Sequence, residues 1–101
     1  AEAIANTKKG VRIINCARGG LVDGDALVRA LQGNRLGGAG IDVLRREPPV
    51  DGDPLLDVDL DNLIVTPHIA WAAREARQRA VNEIAANIDS YLSGGRRCRI
   101  V

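Results

Sequence analysis

The stretch "VRIINCARGGLVDGDALVRALQGNRLGGAGIDVL", residues 11–44, decides the fold of this chain. Apolar runs stand at both of its ends, and each has the length of a short buried strand. The segment between them carries apolar residues at helical spacing, namely Ala26, Leu27, Ala30 and Leu31. Asp23 precedes that segment as a typical helix N-cap, and Gly33 follows it. A strand, a short helix and a strand in this order predict a βαβ unit with two parallel strands.

Further elements are predicted on both sides of this unit. Lys8, Lys9 and Gly10 have the composition of a helix end, so the chain opens with what we interpret as the remainder of a helix. Residues 45–62 are rich in Pro and Asp and predict a long loop, and residues 63–66 predict a third strand. Residues 72–92 predict a long helix whose apolar face comprises Ala80, Val81, Ile84, Ile88, Tyr91 and Leu92. We therefore expect an α/β fold with about three parallel strands and flanking helices.

Composition and charge exclude several classes of function. The 101 residues suffice for one modest core, and a formal net charge of +1 leaves no excess of Lys and Arg for binding nucleic acid. No apolar run approaches the length of a membrane span, so we expect no membrane partner. The single His and the two Cys residues, Cys16 and Cys98, argue against a zinc site and favour a reducing, cytoplasmic compartment. We expect Cys16 to be a small buried residue.

Two ligand-binding patterns that the composition suggests are incomplete. Counted from Asp57, a calcium-binding EF-hand loop would need Gly at position 62 and Glu at position 68, where the chain has Asn62 and His68. We therefore expect a solvated acidic loop and no metal site. The segment Gly38-Ala39-Gly40 lacks the third glycine and the following helix of a dinucleotide-binding loop. A diphosphate site, if one exists, is expected outside this chain.

Four polar residues lie where predicted strands end. Arg18 follows the first strand, Asp42 lies near the end of the second, and His68 directly follows the third. Glu47 lies five residues beyond Asp42, in the loop. Because the carboxyl ends of parallel strands meet at one edge of a sheet, we expect these side chains to lie near one another, where open α/β sheets bind ligands.

These residue types have the chemistry to bind a carboxylate and to exchange a proton with a carbonyl group. Arginine binds a carboxylate through two parallel hydrogen bonds. Histidine gains and loses a proton near neutral pH, and an adjacent glutamate favours its protonated form. Such a pair can deliver a proton to a carbonyl oxygen and take it back in the reverse direction. Simpler interpretations stay open: solvated surface side chains for Arg18 and Glu47, a turn cap for Asp42, and a structural or exposed histidine for His68.

Three motifs carry a resemblance to a known family. "IINCARGGLVDGDALVRAL", "GAGIDVLRREPP" and "NLIVTPHIAW" follow one another in this chain. In that order and spacing they resemble the D-isomer-specific 2-hydroxyacid dehydrogenases. The branch that looks most similar includes glycerate and phosphoglycerate dehydrogenases and glyoxylate/hydroxypyruvate reductases. The resemblance extends from about Lys8 to Tyr91.

The resemblance implies a role for each polar residue at the strand ends. Arg18 matches the arginine that holds the carboxylate and carbonyl of a 2-oxo acid. His68 matches the general acid and base, and Glu47 matches the glutamate that hydrogen-bonds it. Asp42 matches the aspartate that orients the nicotinamide carboxamide. The implied catalytic residues are thus Arg18, Glu47 and His68.

NAD or NADP is the cofactor that the resemblance implies. The residues that would line its nicotinamide end are Cys16, Ala17, Arg18, Asp42, His68, Ile69, Ala70 and Trp71. Gly19 and Gly20 would let the backbone turn beneath the cofactor without an intruding side chain.

The resemblance also implies that this chain is the C-terminal half of a Rossmann-type NAD-binding domain. In this family, the diphosphate loop and the residue that selects NAD or NADP lie upstream of these motifs. Residues 1–92 would belong to that domain, and residues 93–101 would form a tail that returns toward an absent substrate domain. The implied parent activity is hydride transfer between NAD(P)H and a small 2-oxo or 2-hydroxy acid such as glyoxylate or hydroxypyruvate.

Three other interpretations stay open. Transcriptional corepressors that share this fold keep the same Arg, Glu and His without acting as enzymes. Relatives that oxidise formate or phosphite would use the same Arg and His on a different anion, although Trp71 fits the glyoxylate/hydroxypyruvate branch better. The isolated chain could also be an inactive structural piece. Because half of a sheet exposes an apolar edge and face, we expect it to form a homodimer or to aggregate.

Overall fold

The first part of the chain is built on a three-stranded parallel sheet. The structure, a computed structural model, describes residues 2–100, which divide into two units at the boundary between Ile69 and Ala70. The first unit contains α1 (Glu2–Ala5), β1 (Arg12–Asn15), a 3₁₀ turn (Gly19–Leu21), α2 (Gly24–Gln32), β2 (Gly38–Ile41) and β3 (Leu63–Val65). The second unit contains α3 (Arg74–Leu92).

The strands lie in the order β1-β2-β3 and both pairs are parallel, which confirms the predicted topology. Two backbone hydrogen bonds continue the pairing just beyond the strands. The N–H of Asp42 donates to the carbonyl of Asn15 at 2.9 Å, and the N–H of Thr66 donates to the carbonyl of Ile41 at 2.9 Å. The three carboxyl ends therefore lie at one edge of the sheet, the edge at which open α/β sheets bind ligands.

Helix α2 begins and ends where the sequence predicts. Asp23 is its N-cap, with Oδ1 accepting the N–H of Ala26 at 3.0 Å, and Gly33 follows its last residue. On the face turned to the sheet, Leu27 and Leu31 are 0% and 1% exposed. The core is aliphatic and consists of Leu27, Val28, Leu31, Leu36, Ala39, Ile41 and Leu55. Burying one leucine side chain contributes about 1.5–3 kcal/mol, so this core holds α2 on the sheet.

The opposite face of the sheet is apolar and exposed. Side chains along a strand alternate between the two faces, so the neighbours of core residues point away from α2. Ile14 of β1 and Ile64 of β3 both pair with Gly40 of β2, one on each side. They are 78% and 67% exposed. Adjacent exposed isoleucines on a sheet are typical of a surface that packs against another element.

The first helix is shorter than predicted. It ends at Ala5 instead of continuing to Lys8 and Lys9. The reason is Arg35, whose guanidinium donates to the carbonyls of Ala5, at 2.7 Å, and of Thr7. These carbonyls therefore bond the side chain of Arg35, which follows the end of α2, instead of the next helical turn.

Strands β2 and β3 are also shorter than predicted. β2 covers four residues, Gly38–Ile41, and not the whole apolar run of residues 36–44 at the end of the deciding stretch. Thr66 lies outside β3, which ends at Val65. Both strands stop where the chain turns into the loops at the carboxyl edge.

The loop that follows β2 is irregular, as predicted, although it is not solvated throughout. Asp53 is 8% exposed, and its Oδ1 accepts the N–H of Leu55 at 3.0 Å. The expectation of a solvated acidic loop is therefore wrong at Asp53, because this side chain replaces water as the acceptor for a buried backbone N–H. Among residues 2–100, no three His, Cys, Asp or Glu side chains cluster as metal ligands would.

Helix α3 contains 19 residues, close to the predicted span of 72–92. Its predicted apolar face is present in the sequence, yet none of its residues is buried. Val81 and Ile88, for example, are 59% and 54% exposed. No helix within residues 2–100 has the length and apolar character needed to cross a bilayer. The predicted domain boundary after residue 92 stays a prediction.

Candidate active site

Three loops meet at the carboxyl edge of the sheet, one after each strand. Residues 16–18 follow β1, residues 42–47 follow β2, and residues 66–69 follow β3. The predicted site residues of the first unit all lie on these loops. The contacts within and between the loops decide which of those residues come together.

Arg18 is exposed and stands on a turn that a buried side chain holds in place. Asn15, the last residue of β1, is 6% exposed. Its Oδ1 accepts the N–H of Ala17 at 3.1 Å, and its Nδ2 donates to the carbonyl of Arg18 at 2.9 Å. The guanidinium of Arg18 donates to the carbonyl of Ala17 at 2.7 Å. In residues 2–100 the structure records no hydrogen bond from Arg18 to Glu47 or to His68.

The two glycines after Arg18 differ in what surrounds them. A Cβ at Gly19 would overlap the carbonyl of Leu44 and the nitrogen of Arg45, whereas a Cβ at Gly20 would meet nothing within 4 Å. Gly19 is therefore required by the close approach of two backbone segments. Gly20 has no such requirement within this chain. The predicted role of both glycines beneath a cofactor stays a prediction.

Glu47 and His68 form a hydrogen-bonded pair, with Oε2 of Glu47 2.6 Å from Nδ1 of His68. The other carboxylate oxygen, Oε1, accepts the N–H of Leu44 at 2.7 Å. The His68 and Glu47 side chains are 42% and 35% exposed, so both are within reach of a ligand from solution. The N–H of Leu44, and after it the His68 side chain, lowers the pKa of Glu47 below its ordinary value. The carboxylate is thus held in its charged form beside the imidazole.

Asp42 is buried, 4% exposed, and has the partners that a buried carboxylate requires. Its Oδ1 accepts the hydroxyl of Thr66 at 2.5 Å and the N–H of Ile69 at 2.9 Å. Asp42 is therefore bonded to the loop on which His68 lies. As predicted, Glu47 and Asp42 both come to the neighbourhood of His68.

An apolar cavity of about 480 Å³ adjoins the Glu47–His68 pair. Its walls are formed by Leu44, Pro48, Pro49, Leu56, Val65, Thr66 and Pro67, with Glu47 and His68 among the lining residues. A concave apolar surface with a few polar groups at one side is typical of a small-molecule site.

The remaining predicted site residues lie beside these groups in the chain. Cys16 is exposed, so the expectation that it is buried is wrong: the side chain follows the last residue of β1 and lies beyond the core. Ala17 is exposed and Ile69 is half-exposed. Ala70 and Trp71 begin the second unit, and Trp71 is 59% exposed. Their predicted contacts with a cofactor stay predictions.

Three groups that hold the site in place were not predicted, namely the side chains of Asn15 and Thr66 and the backbone N–H of Leu44. The first two carried a visible signal, since each is a polar residue directly at the end of an apolar strand. The role of Leu44 had no such signal, because a backbone N–H is present at every residue except proline.

A family model described as the NAD-binding domain of D-isomer-specific 2-hydroxyacid dehydrogenases matches residues 1–70. The chain belongs to the D-isomer-specific 2-hydroxyacid dehydrogenase family. A glycerate dehydrogenase from Methylorubrum extorquens is 49% identical to this chain over 94 residues, which make up 93% of this chain and 30% of that relative. The resemblance drawn from the three motifs is therefore confirmed.

Solved structures of D-2-hydroxyacid dehydrogenases have the same fold over this region. D-lactate dehydrogenase from Aquifex aeolicus, complexed with NAD and lactic acid, matches with a TM-score of 0.65 at 34% identity, over 92% of this chain and 32% of that one. A glyoxylate reductase from Paecilomyes thermophila matches with a TM-score of 0.65 at 35% identity, over 88% of this chain and 26% of that one. These matches confirm a Rossmann-type α/β fold. The chain spans about a third or less of the length of these relatives.

Proposed function

We propose that this chain carries the acid–base pair and the substrate arginine of a dehydrogenase that interconverts small 2-oxo acids and D-2-hydroxy acids. The observation that carries the proposal is the hydrogen-bonded pair of Glu47 and His68, 2.6 Å long and partly exposed at the carboxyl edge of the sheet. A histidine held by a carboxylate in a family of NAD-linked dehydrogenases suits the exchange of a proton with a substrate oxygen.

His68 is proposed as the general acid and base. Nδ1 of its ring is engaged with Glu47, so Nε2 is the nitrogen that exchanges a proton with substrate. In reduction, the imidazolium gives its Nε2 proton to the carbonyl oxygen as the carbonyl carbon is reduced. In oxidation, neutral His68 removes the proton of the 2-hydroxyl group. The Glu47 carboxylate stabilises the imidazolium and holds the ring in one orientation.

Arg18 is proposed to bind the carboxylate of the substrate. Its side chain is exposed on a turn whose backbone is held by the buried Asn15. A guanidinium binds a carboxylate through two parallel hydrogen bonds, which orients the neighbouring carbonyl as well as adding affinity. The substrate class that suits Arg18 and His68 together is therefore a short 2-oxo acid, with glyoxylate and hydroxypyruvate as the first candidates.

NAD or NADP is proposed to lie across the exposed carboxyl edge of the sheet. Cys16 and Ala17 are exposed there, and Ile69 is 50% exposed, so all three are accessible to a ligand. Cys16, Ala17 and Ile69 would line the nicotinamide ring. When bound, NADH or NADPH supplies the hydride that reduces the carbonyl carbon.

The proposed assembly is a homodimer, and the proposed location is the cytoplasm. The support for a dimer is the exposed apolar face of the sheet at Ile14 and Ile64, which favours association in water. Sedimentation over a range of protein concentrations tests it. A monomer at all concentrations would overturn the proposed dimer.

The proposed function is tested by oxidation of NADH and NADPH in the presence of glyoxylate, hydroxypyruvate, pyruvate or phenylpyruvate. We expect turnover with at least one acid, and we expect His68→Ala to reduce kcat by about 10²–10⁴-fold while the affinity for cofactor is retained. Arg18→Ala should chiefly raise KM for the acid, and Arg29→Ala, which removes an exposed arginine of α2, is the matched control.

Two outcomes would overturn the proposal. One is equal turnover by the purified protein and by His68→Ala. The other is the absence of turnover with every acid and both cofactors, together with specific binding of a macromolecular partner, which would favour the corepressor-like interpretation.

A further inference from the structure

The loop that carries His68 is tied to a single buried oxygen atom. Oδ1 of Asp42 accepts the hydroxyl of Thr66 at 2.5 Å and the N–H of Ile69 at 2.9 Å. The first donor stands two residues before His68 in the chain and the second stands one residue after it. His68 is thus bracketed by two hydrogen bonds to the same carboxylate, which is itself 4% exposed.

The backbone of His68 needs such support. Its φ is +55°, in the left-handed region that residues with a side chain seldom adopt unless surrounding contacts hold them there. The N–H of His68 donates to the carbonyl of Thr66 at 3.0 Å, and the N–H of Thr66 donates to the carbonyl of Ile41 at 2.9 Å. Thr66 therefore connects His68 to the end of β2 through its backbone as well as through its hydroxyl.

We propose that Thr66 is a positioning residue for His68, acting through the hydrogen bond from its hydroxyl to Asp42. A hydroxyl that donates to a carboxylate makes a charge-assisted hydrogen bond, which is stronger than a bond between neutral groups. It holds residues 66–69 in the one conformation that keeps Nδ1 of His68 against Oε2 of Glu47. The importance of this positioning for catalysis rests on the proposed function, whereas the positioning itself does not.

A ring held in this way should have a fixed tautomer. In the neutral imidazole, only the form with a proton on Nδ1 donates to Glu47. A ring that turns away from Glu47 loses the bond that favours this form, so the share of the Nδ1-protonated tautomer falls. The tautomer of His68 therefore reports on positioning in the absence of substrate and cofactor.

Nuclear magnetic resonance on the unliganded protein tests the proposal, and the single histidine of the chain makes the ring signals unambiguous. The variants are Thr66→Val, which keeps the shape and removes the hydroxyl, and Thr66→Ser, which keeps the hydroxyl. Thr7→Val is the matched control, since the Thr7 hydroxyl donates to the carbonyl of Ile4 at 2.9 Å, elsewhere in the fold. Amide exchange at the buried Leu27 and Leu31 shows whether each variant retains its core.

In Thr66→Val we expect the Ile69 amide to exchange at least about tenfold faster, as the loss of one hydrogen bond to a carboxylate predicts. We also expect the ring nitrogen signals to move away from the Nδ1-protonated form. Thr66→Ser and Thr7→Val should leave both observables unchanged. Unchanged Ile69 exchange and an unchanged tautomer in Thr66→Val would overturn the proposal, and so would the same changes in Thr7→Val.

Kinetics separate this proposal from the proposed function. Where turnover is observed, Thr66→Val should lower kcat at least about tenfold with little change in KM for the cofactor, and Thr66→Ser should restore it. A change confined to KM would contradict positioning of the proton donor. If no acid is turned over, the tautomer and exchange measurements still decide the role of Thr66, because neither needs turnover.

Discussion

The α-carbon of Gly19 lies against the peptide bond between Leu44 and Arg45, so closely that a Cβ does not fit between them. This contact joins two of the loops at the carboxyl edge of the sheet. On one side is the turn that follows Arg18. On the other is the segment whose Leu44 N–H binds the carboxylate of Glu47. Arg18, the proposed substrate arginine, and Glu47, of the acid–base pair, lie on these two loops. The distance between the loops thus depends on the absence of a side chain at Gly19.

Replacing Gly19 by alanine should therefore separate these loops. We expect Gly19→Ala to lower the free energy of unfolding by about 1–3 kcal/mol, because the new methyl group overlaps backbone atoms. Gly20→Ala, where a Cβ has open space, should change it by less than about 0.5 kcal/mol. Urea unfolding of both variants measures the difference, and equal losses would contradict the assignment.

Removing the side chain of Asn15 should loosen the turn that carries Arg18. Asn15 is 6% exposed and bonds the backbone of Ala17 and of Arg18. We expect Asn15→Ala to cost about 1–3 kcal/mol of unfolding free energy and to speed amide exchange at Ala17. Asn6→Ala, at an exposed position, is the control and should have no effect on Ala17. Unaltered exchange at Ala17 in Asn15→Ala would be inconsistent with this role.

The acid sensitivity of the chain should depend on Glu47. Its pKa lies below the ordinary value of 4.5, because the Leu44 N–H and then His68 stabilise the carboxylate in the folded chain. As pH falls, the unfolded chain therefore binds a proton at Glu47 before the folded chain does. The stabilisation is complete above a pH of about 4.5 and is lost as pH falls through the lowered pKa.

Glu47→Gln should remove the part of the unfolding free energy that depends on the charge of this carboxylate. Unfolding free energies measured from about pH 7 to pH 3 should fall less steeply for the variant than for the original chain below a pH of about 4.5. Parallel profiles of unfolding free energy against pH would show that the partners of Glu47 in the folded chain do not stabilise its carboxylate.

The stabilisation that the Asp23 N-cap gives to α2 should also be lost as pH falls. The pKa of Asp23 is lowered chiefly by the N–H of Ala26, so its cap also weakens when acid protonates it. We expect Asp23→Ala to reduce the urea midpoint and Asp23→Ser to restore much of it, because a serine hydroxyl accepts the same N–H. Circular dichroism during urea unfolding checks both. Equal midpoints for the alanine and serine variants would argue against capping.

Truncating the buried Leu31 should lower the free energy of unfolding far more than truncating a surface leucine. Leu31 is 1% exposed in the layer between α2 and the sheet, whereas Leu21 is 71% exposed. We expect Leu31→Ala to cost about 2–5 kcal/mol and Leu21→Ala to cost less than about 0.5 kcal/mol. Thermal or urea unfolding of the pair tests whether this small core accounts for the stability of the first unit.

Sequence alone determined the elements, their order and the edge at which the site lies. Apolar periodicity and the cap at Asp23 are local signals, set by residues a few positions apart, and they identified α2 and its ends. Parallel strands connected by a helix then required that Arg18, Asp42 and His68 follow strand ends at one edge. The pairing of Glu47 with His68 came from the resemblance to a family, since no local rule joins residues 21 positions apart.

Only the tertiary structure decided which atoms hold the site together. The bonds of Asn15 to its turn and of Thr66 to Asp42, and the contact of Gly19 with Leu44, depend on how close the loops lie once the core has packed. The same packing buried Asp53 and left Cys16 exposed, against expectation. Hydrogen bonds form only within a few tenths of an ångström of their ideal length, and sequence patterns carry no information at that scale. The pattern therefore locates the site, and the packed loops determine its geometry.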